Sequence, residues 1–323
     1  MKRIALAMAF LSALAAATPS VAADLPTISI VVFGAPSLGA FFPPVIKAQK
    51  LDEKNGISID FQERTPDAYT AQFNSGEFQV GGSAALLTVG LADARGVKAT
   101  YLFNLFDYWG AVVTSRPEIK TIKDLEGQEL AAAKGTTNYV MFDWFARQLG
   151  ANTSKFSVIN TATPGLVGYA LADRAAAVQL WEPAYTTLLS RKPGIQTLDL
   201  KIKESWQKTS GSASIPYLGV AAHVDWAEKH KDLIPKLYAT YKQAADWVVA
   251  HPDDAAKLIA GKGSAESVKA IGDLIRANDR LGMNVLPASA VAKEIKAVYE
   301  AGQSINFLPS PPSDSTIYKG SVQ

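Results

Sequence analysis

Cysteine is absent from all 323 residues. That excludes disulfides, thiolate metal centres, a cysteine nucleophile and the lipid-attachment cysteine of a bacterial lipoprotein. Histidine is scarce, and His223, His230 and His251 all lie toward the C-terminus, with no His-x-x-x-His or similar ligand spacing. An excess of charge of either sign is missing too. The chain carries 32 basic and 30 acidic residues, and Lys2 and Arg3 belong to a segment expected to be removed. Neither the basic stripe of a nucleic-acid binder nor a polybasic membrane patch is visible. Beyond the first two dozen residues no apolar run reaches the ~20 residues that span a bilayer. Internal repeats are lacking as well.

What is present begins with an export signature. Lys2 and Arg3 precede an almost unbroken apolar run, Ile4 to Ala17, and Ser20, Val21, Ala22 and Ala23 stand ahead of Asp24. Charge, apolar stretch and small residues in that order form a secretory signal peptide, with cleavage expected near Ala23. The remainder is long enough to bury large cores and to form two domains.

Short apolar runs then alternate with helical patterns. Thr27 to Phe33 is β-branched and brief, as a buried strand is. A Gly- and Pro-bearing turn, Gly34 to Gly39, leads to a predicted helix from about Pro44 to Asn55. Ile57 to Gln62 alternates as a strand, and Ser83 to Ala94 has a helical pattern with Gly96 just beyond it. Further strands are expected at Glu129–Ala133, Ser157–Asn160 and Ala176–Trp181, with a helix opening at Gly135-Thr136-Thr137-Asn138. This alternation predicts α/β layers with a mainly parallel sheet. From Val224 onward the pattern is almost wholly helical, ending in a Pro- and Ser-rich surface tail, Pro309 to Ser315. Two extended stretches, near Asn104–Ser115 and Ser214–Ala222, bracket the middle block, as if the chain crossed between two lobes and returned. Such a molecule can hinge around a ligand held in the cleft.

Several segments carry a more specific likeness: GEFQVGGSAALL, PEIKTIKDLEG at 117–127, AAAKGTTNYVMF, and LADRAAAVQLWEPAY. In order and spacing they resemble the sulfonate, taurine, nitrate and thiamine-pyrimidine (NMT1/THI5-like) group of periplasmic solute-binding proteins, over roughly residues 27–230. The resemblance implies a two-lobed periplasmic-binding-protein fold of type II, with two crossing segments as a hinge and C-terminal helices packed on the first lobe. Lobe one is expected to comprise residues 25–108 plus 219–323, and lobe two 109–218. It also implies a periplasmic, monomeric receptor that binds a small molecule and docks on the membrane permease of an ABC importer, without cofactor or covalent chemistry.

Helix N-termini bind anions through free N–H groups and partial positive charge. Three small-residue starts offer such donors: Ser37 to Phe41, Gly82-Ser83 and Thr136-Thr137. Plain N-capping is the other reading of those hydroxyls, and the resemblance favours ligand contact for Ser83, Thr136 and Thr137. Among the aromatics, Trp144, Trp206, Trp226 and Trp247 sit in helical patterns that suit packing. Phe41, Tyr108, Trp109 and Trp181 are cleft candidates, Trp181 because ligands gather at strand C-terminal edges in open α/β sheets. Glu182 either accepts a hydrogen bond from a ligand amine or solvates the strand end. The turn Phe33-Gly34-Ala35-Pro36 and the segment Ser83-Ala84-Ala85 are less polar than in sulfonate-type members, which favours an organic ligand with a flat or aromatic part over an inorganic anion.

Enzyme readings have less behind them. Ala35-Pro36-Ser37-Leu38-Gly39 is close to a G-x-S-x-G nucleophile elbow, but the first glycine is alanine and a distant histidine would have to reach Ser37. A thiamine-pyrimidine synthase on the same fold would, by the resemblance, be cytosolic and use a Cys-rich motif, which this chain lacks.

Overall fold

The computed structural model describes residues 25–322, so the export signature at residues 1–23 lies outside the described residues. Eleven strands among them form two sheets. The first contains β1 (Thr27–Phe33), β2 (Ser58–Arg64), β3 (Val80–Ala85), β4 (Ala99–Asp107), β10 (Pro216–His223) and β11 (Met283–Pro287), in the order β11-β4-β10-β3-β1-β2. The second contains β5 (Ala111–Thr114), β6 (Glu129–Ala132), β7 (Ser157–Asn160), β8 (Ala177–Leu180) and β9 (Gln196–Leu198), in the order β7-β6-β8-β5-β9.

Helices separate the strands. On the first sheet's segments these are α1 (Phe42–Gln49), α2 (Leu51–Lys54), α3 (Pro66–Asn74) and α4 (Leu86–Ala94). The middle block has α5 (Thr137–Gln148), α6 (Thr163–Leu171), α7 (Ala184–Arg191) and α8 (Ile202–Ser210). The C-terminal part has α9 (Val224–Lys229), α10 (Leu233–Ala250), α11 (Pro252–Ala260), α12 (Ala265–Arg276), α13 (Asn278–Leu281) and α14 (Ala292–Ser304). The result is a mixed α/β molecule of two lobes, one around each sheet.

The chain passes between the sheets twice, the first time within the expected stretch and the second time earlier than expected, since most of Ser214–Ala222 is already strand β10 of the first sheet. β4 ends at Asp107 in the first sheet and β5 begins at Ala111 in the second, and the return runs through residues 199–215 into β10. Neither sheet is mainly parallel. β1 is parallel to β2 and β3, and β6 to β7 and β8, but β10 is antiparallel to β3 and β4, and β5 to β8 and β9. A strand entering from the other lobe arrives at the opposite sheet end from one fed by a local βα unit, so it runs the other way.

Three further expectations are corrected. The predicted helix from Pro44 to Asn55 is two helices, because Lys50 adopts a left-handed φ of 51° between them. The helix expected from Ser83 starts at Leu86, and Ser83 lies inside β3. The C-terminal region, expected to be almost wholly helical, contains one strand, β11, antiparallel to β4.

Burial explains the strands. Ile30, Val31 and Val32 of β1, which is paired on both sides, are fully buried, as a strand covered on both faces requires. β3 carries Gly81-Gly82 because side chains approach both faces: a Cβ on Gly81 would lie 2.2 Å from the Tyr69 hydroxyl oxygen, and one on Gly82 2.8 Å from that of Tyr241. One large apolar cluster fills the first lobe and reaches Trp144 and Trp206 at the lobe junction, while two smaller clusters line opposite faces of the second sheet. Trp144 and Trp206 pack edge to face at 5.4 Å. Trp226 and Trp247 are half-buried and stack on His230 and His251. Pro309 to Ser315 is largely exposed, and the chain then tucks back so that the Tyr318 N–H bonds the Tyr101 carbonyl oxygen.

Candidate functional site: the interlobe cleft

The first wall of the cleft is the turn after β1. Phe33 donates its N–H to Ser83 Oγ at 2.9 Å, so the hydroxyl on β3 ties the end of β1 in place. Gly39 lies against the same hydroxyl, 2.1 Å from where its Cβ would be, so only glycine fits there. Ser37 precedes a 3-10 turn, Leu38–Ala40, and donates to the Phe33 carbonyl oxygen at 3.3 Å. Phe41 is buried and meets Phe106 edge-on at 6.1 Å. Ser83 is thus fully buried and engaged with backbone rather than capping a helix.

The opposite wall starts at α5. Thr136 is its N-cap: Oγ1 accepts from the Tyr139 N–H at 3.2 Å and donates to the Ala133 carbonyl oxygen at 2.8 Å. The Thr137 hydroxyl stands 3.4 Å from that of Thr88 in α4, a polar contact from lobe to lobe. One residue on, buried Asn138 accepts from Gln179 Nε2 of β8 at 2.6 Å and donates to the Trp109 carbonyl oxygen at 3.3 Å. Tyr108 stacks on Phe145 at 5.6 Å and meets Tyr217 edge-on. Gln179 Oε1 and the Tyr108 hydroxyl are buried and have no hydrogen-bond partner among the described residues. Asn138 and Gln179 were not singled out from sequence, where two amides 41 residues apart carry no shared signal.

Beyond β8, half-buried Trp181 packs on the apolar cluster that includes Val113 and Leu188. Glu182 is buried and accepts from both the N–H and the hydroxyl of Thr186, at 3.0 and 2.9 Å. Burial pushes its carboxyl above the usual range, against the Thr186 bonds and the Arg280 guanidinium, which favour the ionised form. Trp109 lies 5.0 Å from the Tyr185 ring.

Two cavities open between the lobes. One, of about 170 Å³, is lined by Ala35, Pro36, Ser37, Ala40 and Phe41 of the first turn, by Pro183, Thr186 and Thr187 at α7, and by α11 and α12 residues such as Ser267 and Leu274. No charged side chain lines it. The other, of about 760 Å³, lies where the chain crosses, and Tyr108 and Trp109 share its wall with Asp199, Lys201, Asp279 and Asn284. Ser37 and Phe41 therefore meet in one cavity and Tyr108 and Trp109 in the other, while Ser83, Thr136, Thr137, Trp181 and Glu182 line neither. The lining from α11 and α12 had no sequence signal, since an amphipathic helix does not reveal what its edge faces.

No catalytic grouping surrounds Ser37. Among the described residues His223 bonds the Phe73 carbonyl oxygen, and His230 and His251 bond the carbonyl oxygens of Trp226 and Trp247. His223 ends β10 and is half-buried. No cluster of three or more potential metal ligands occurs among the described residues. No described helix is long and apolar enough to cross a membrane.

The fold has solved counterparts. The periplasmic aliphatic sulphonate-binding protein SsuA from Escherichia coli is 18% identical, with a TM-score of 0.72 over 91% of this chain and 92% of its own. The alkanesulfonate-binding protein SsuA from Xanthomonas axonopodis pv. citri, bound to MOPS, is 16% identical, with a TM-score of 0.71 over 90% of this chain and 97% of its own. The periplasmic nitrate-binding protein NrtA from Synechocystis PCC 6803 is 12% identical, with a TM-score of 0.65 over 91% and 84%. Comparison with curated proteins finds no significant match. The family model described as NMT1/THI5 like matches residues 44–255, more than half of the chain, and the protein belongs to the NMT1/THI5-like family.

Proposed function

We propose that this protein is the substrate-binding component of an ABC-type importer, a periplasmic receptor that captures a small organic molecule between its lobes. The observation that carries the reading is the 170 Å³ cavity, to which the first turn of one lobe and α7 of the other both contribute. A ligand touching both walls binds the closed form better than the open one and draws the equilibrium toward it. The family and the binding proteins of the same fold support the same role. The lobes on this reading are residues 25–108 plus 219–323 and residues 109–218. The receptor acts as a monomer, and its closed form docks on the permease.

The ligand follows from the lining. A cavity smaller than the roughly 300–1,000 Å³ of drug-sized pockets takes one small ring or a short-chain molecule. Hydroxyls of Ser37, Thr186, Thr187 and Ser267 surrounded by apolar carbon suit a weakly polar heterocycle or a small organic anion, sulfonate- or pyrimidine-like, better than an inorganic anion. Ser37 and Phe41 face the ligand in this cavity, Tyr108 and Trp109 line the larger one, and Ser83, Thr136, Thr137, Trp181 and Glu182 stand outside both linings; no covalent step is assigned to any of them.

A thermal-shift screen of the leader-free protein against alkanesulfonates, aromatic carboxylates, pyrimidines and nitrate tests this. A binder of the folded state stabilises it by about 2.7 kcal/mol at a hundredfold excess over Kd, and Tm rises accordingly. A shift confined to one compound class supports the receptor reading and identifies the class. Turnover of any of these compounds would sink it.

A further inference from the structure

The contact between α7 and α13 joins the two lobes through charge. Arg280, in α13 of the first lobe, places its guanidinium 3.8 Å from Glu182 Oε1 and 5.7 Å over the Tyr185 ring. Glu182 and Tyr185 belong to the second lobe. The Glu182 side chain is 1% exposed and that of Arg280 26%. Tyr185 is held in turn, with its hydroxyl 2.8 Å from that of Thr197 and its ring against Trp109 on the crossing segment.

From this geometry we infer that Arg280 is an interlobe latch, a positioning residue that sets the closing equilibrium by supplying a cation to Glu182 and to the Tyr185 ring only when the lobes meet. The inference rests on the hinged-receptor reading above. A carboxylate sealed from water by closure loses its hydration, and a neighbouring cation offsets that loss only if the geometry brings it close. The Thr186 bonds lie within the second lobe and persist in either state, whereas Arg280 arrives from across the cleft. Opening separates the guanidinium from both of its partners at once and returns Glu182 to water. Closure therefore depends on a contact made outside the 170 Å³ cavity, since neither Arg280 nor Glu182 lines it. A residue that biases the closed state without touching ligand changes affinity for every ligand by the same factor.

The cysteine-free chain allows a direct test without any ligand. Spin labels on Lys262→Cys and Arg174→Cys, both exposed and on different lobes, report interlobe distance by pulsed electron paramagnetic resonance. Arg280→Gln is expected to raise the ratio of long-distance to short-distance populations by roughly fivefold, the size expected for a partly buried ion pair with a cation–π contact. Arg280→Lys restores most of the short-distance population through its charge. In a Glu182→Gln background, Arg280→Gln shifts the ratio less than twofold, because only the Tyr185 ring is then left for the cation to meet. Circular dichroism melts verify that each variant is folded. An unchanged ratio in folded Arg280→Gln, or an equal shift with and without Glu182, overturns the latch and leaves the receptor reading to the ligand screen. A single distance in the parent and in every variant overturns the hinge together with the latch.

Discussion

Ser83 links two strands through one oxygen. Its hydroxyl accepts the Phe33 N–H at 2.9 Å in a fully buried setting, and the absence of a Cβ on Gly39 leaves room for it. Ser83→Ala leaves that N–H without an acceptor away from water, at a cost of about 1–3 kcal/mol. Urea unfolding at pH 7 is expected to show this loss, and a change below about 0.5 kcal/mol would mean that another acceptor takes over. Trp181 is the contrasting case. It is half-buried just after β8 with one side on the apolar cluster, so truncation leaves the fold and removes support from behind the wall that Pro183 and Thr186 form. Trp181→Ala is expected to weaken binding of the compound found in the screen through the shifted wall at Pro183 and Thr186, since Trp181 itself lines neither cavity. Isothermal titration measures it, and unchanged affinity would take Trp181 out of the site. The hydroxyl candidates were legible as residues that cap or bind, but the two roles differ only in what stands opposite, and sequence does not show that.

At the scale of elements, helix starts separate along the same line. Thr136 caps α5, the reading that the resemblance had set below ligand contact, because the cap bond to Tyr139 is local. The start expected at Ser83 moves to Leu86, because pairing with β10 extends β3 through Ala84 and Ala85, which would otherwise suit a first helical turn. Asp52 joins three elements in a comparable way. It is buried in α2 and accepts from Lys47 of α1 and from the Ile59 N–H of β2 at 2.9 Å. Burial alone would raise its pKa, but the bonds from Lys47 and Ile59 outweigh it and the net direction is down. A depressed carboxyl contributes stability that is fully present above its unfolded value of about 4 and is lost as pH falls through the folded value. Asp52→Asn is therefore expected to lose about 1–3 kcal/mol at pH 7. Unfolding curves taken at successively lower pH should converge with those of the parent below about pH 4. A deficit that stays constant down to pH 2 would assign the loss to packing instead of charge.

Across the whole molecule, Asp107 shows how the crossings are held. It ends β4 and accepts from Ser214 on the return crossing at 2.9 Å and from Asn284 of β11 at 3.0 Å, with Asn104 as a further donor. Burial pushes its carboxyl up, while these bonds favour the ionised form. One side chain thus binds both passages of the chain and the edge strand, although its partners lie 107 and 177 residues away in sequence. The sequence by itself determined the alternation of strands and helices, the buried first strand, a crossing and a return between two lobes, and the family, because hydrophobic period, turn residues and motif order are local or ordered along the chain. Only the tertiary structure decided the antiparallel strands at the crossings, the strand hidden in the C-terminal helices, the division of the candidate residues between two cavities and the meeting of Arg280 with Glu182. Those depend on which surfaces face one another after the chain has crossed between its lobes and returned, and no local pattern of residue types encodes that distance.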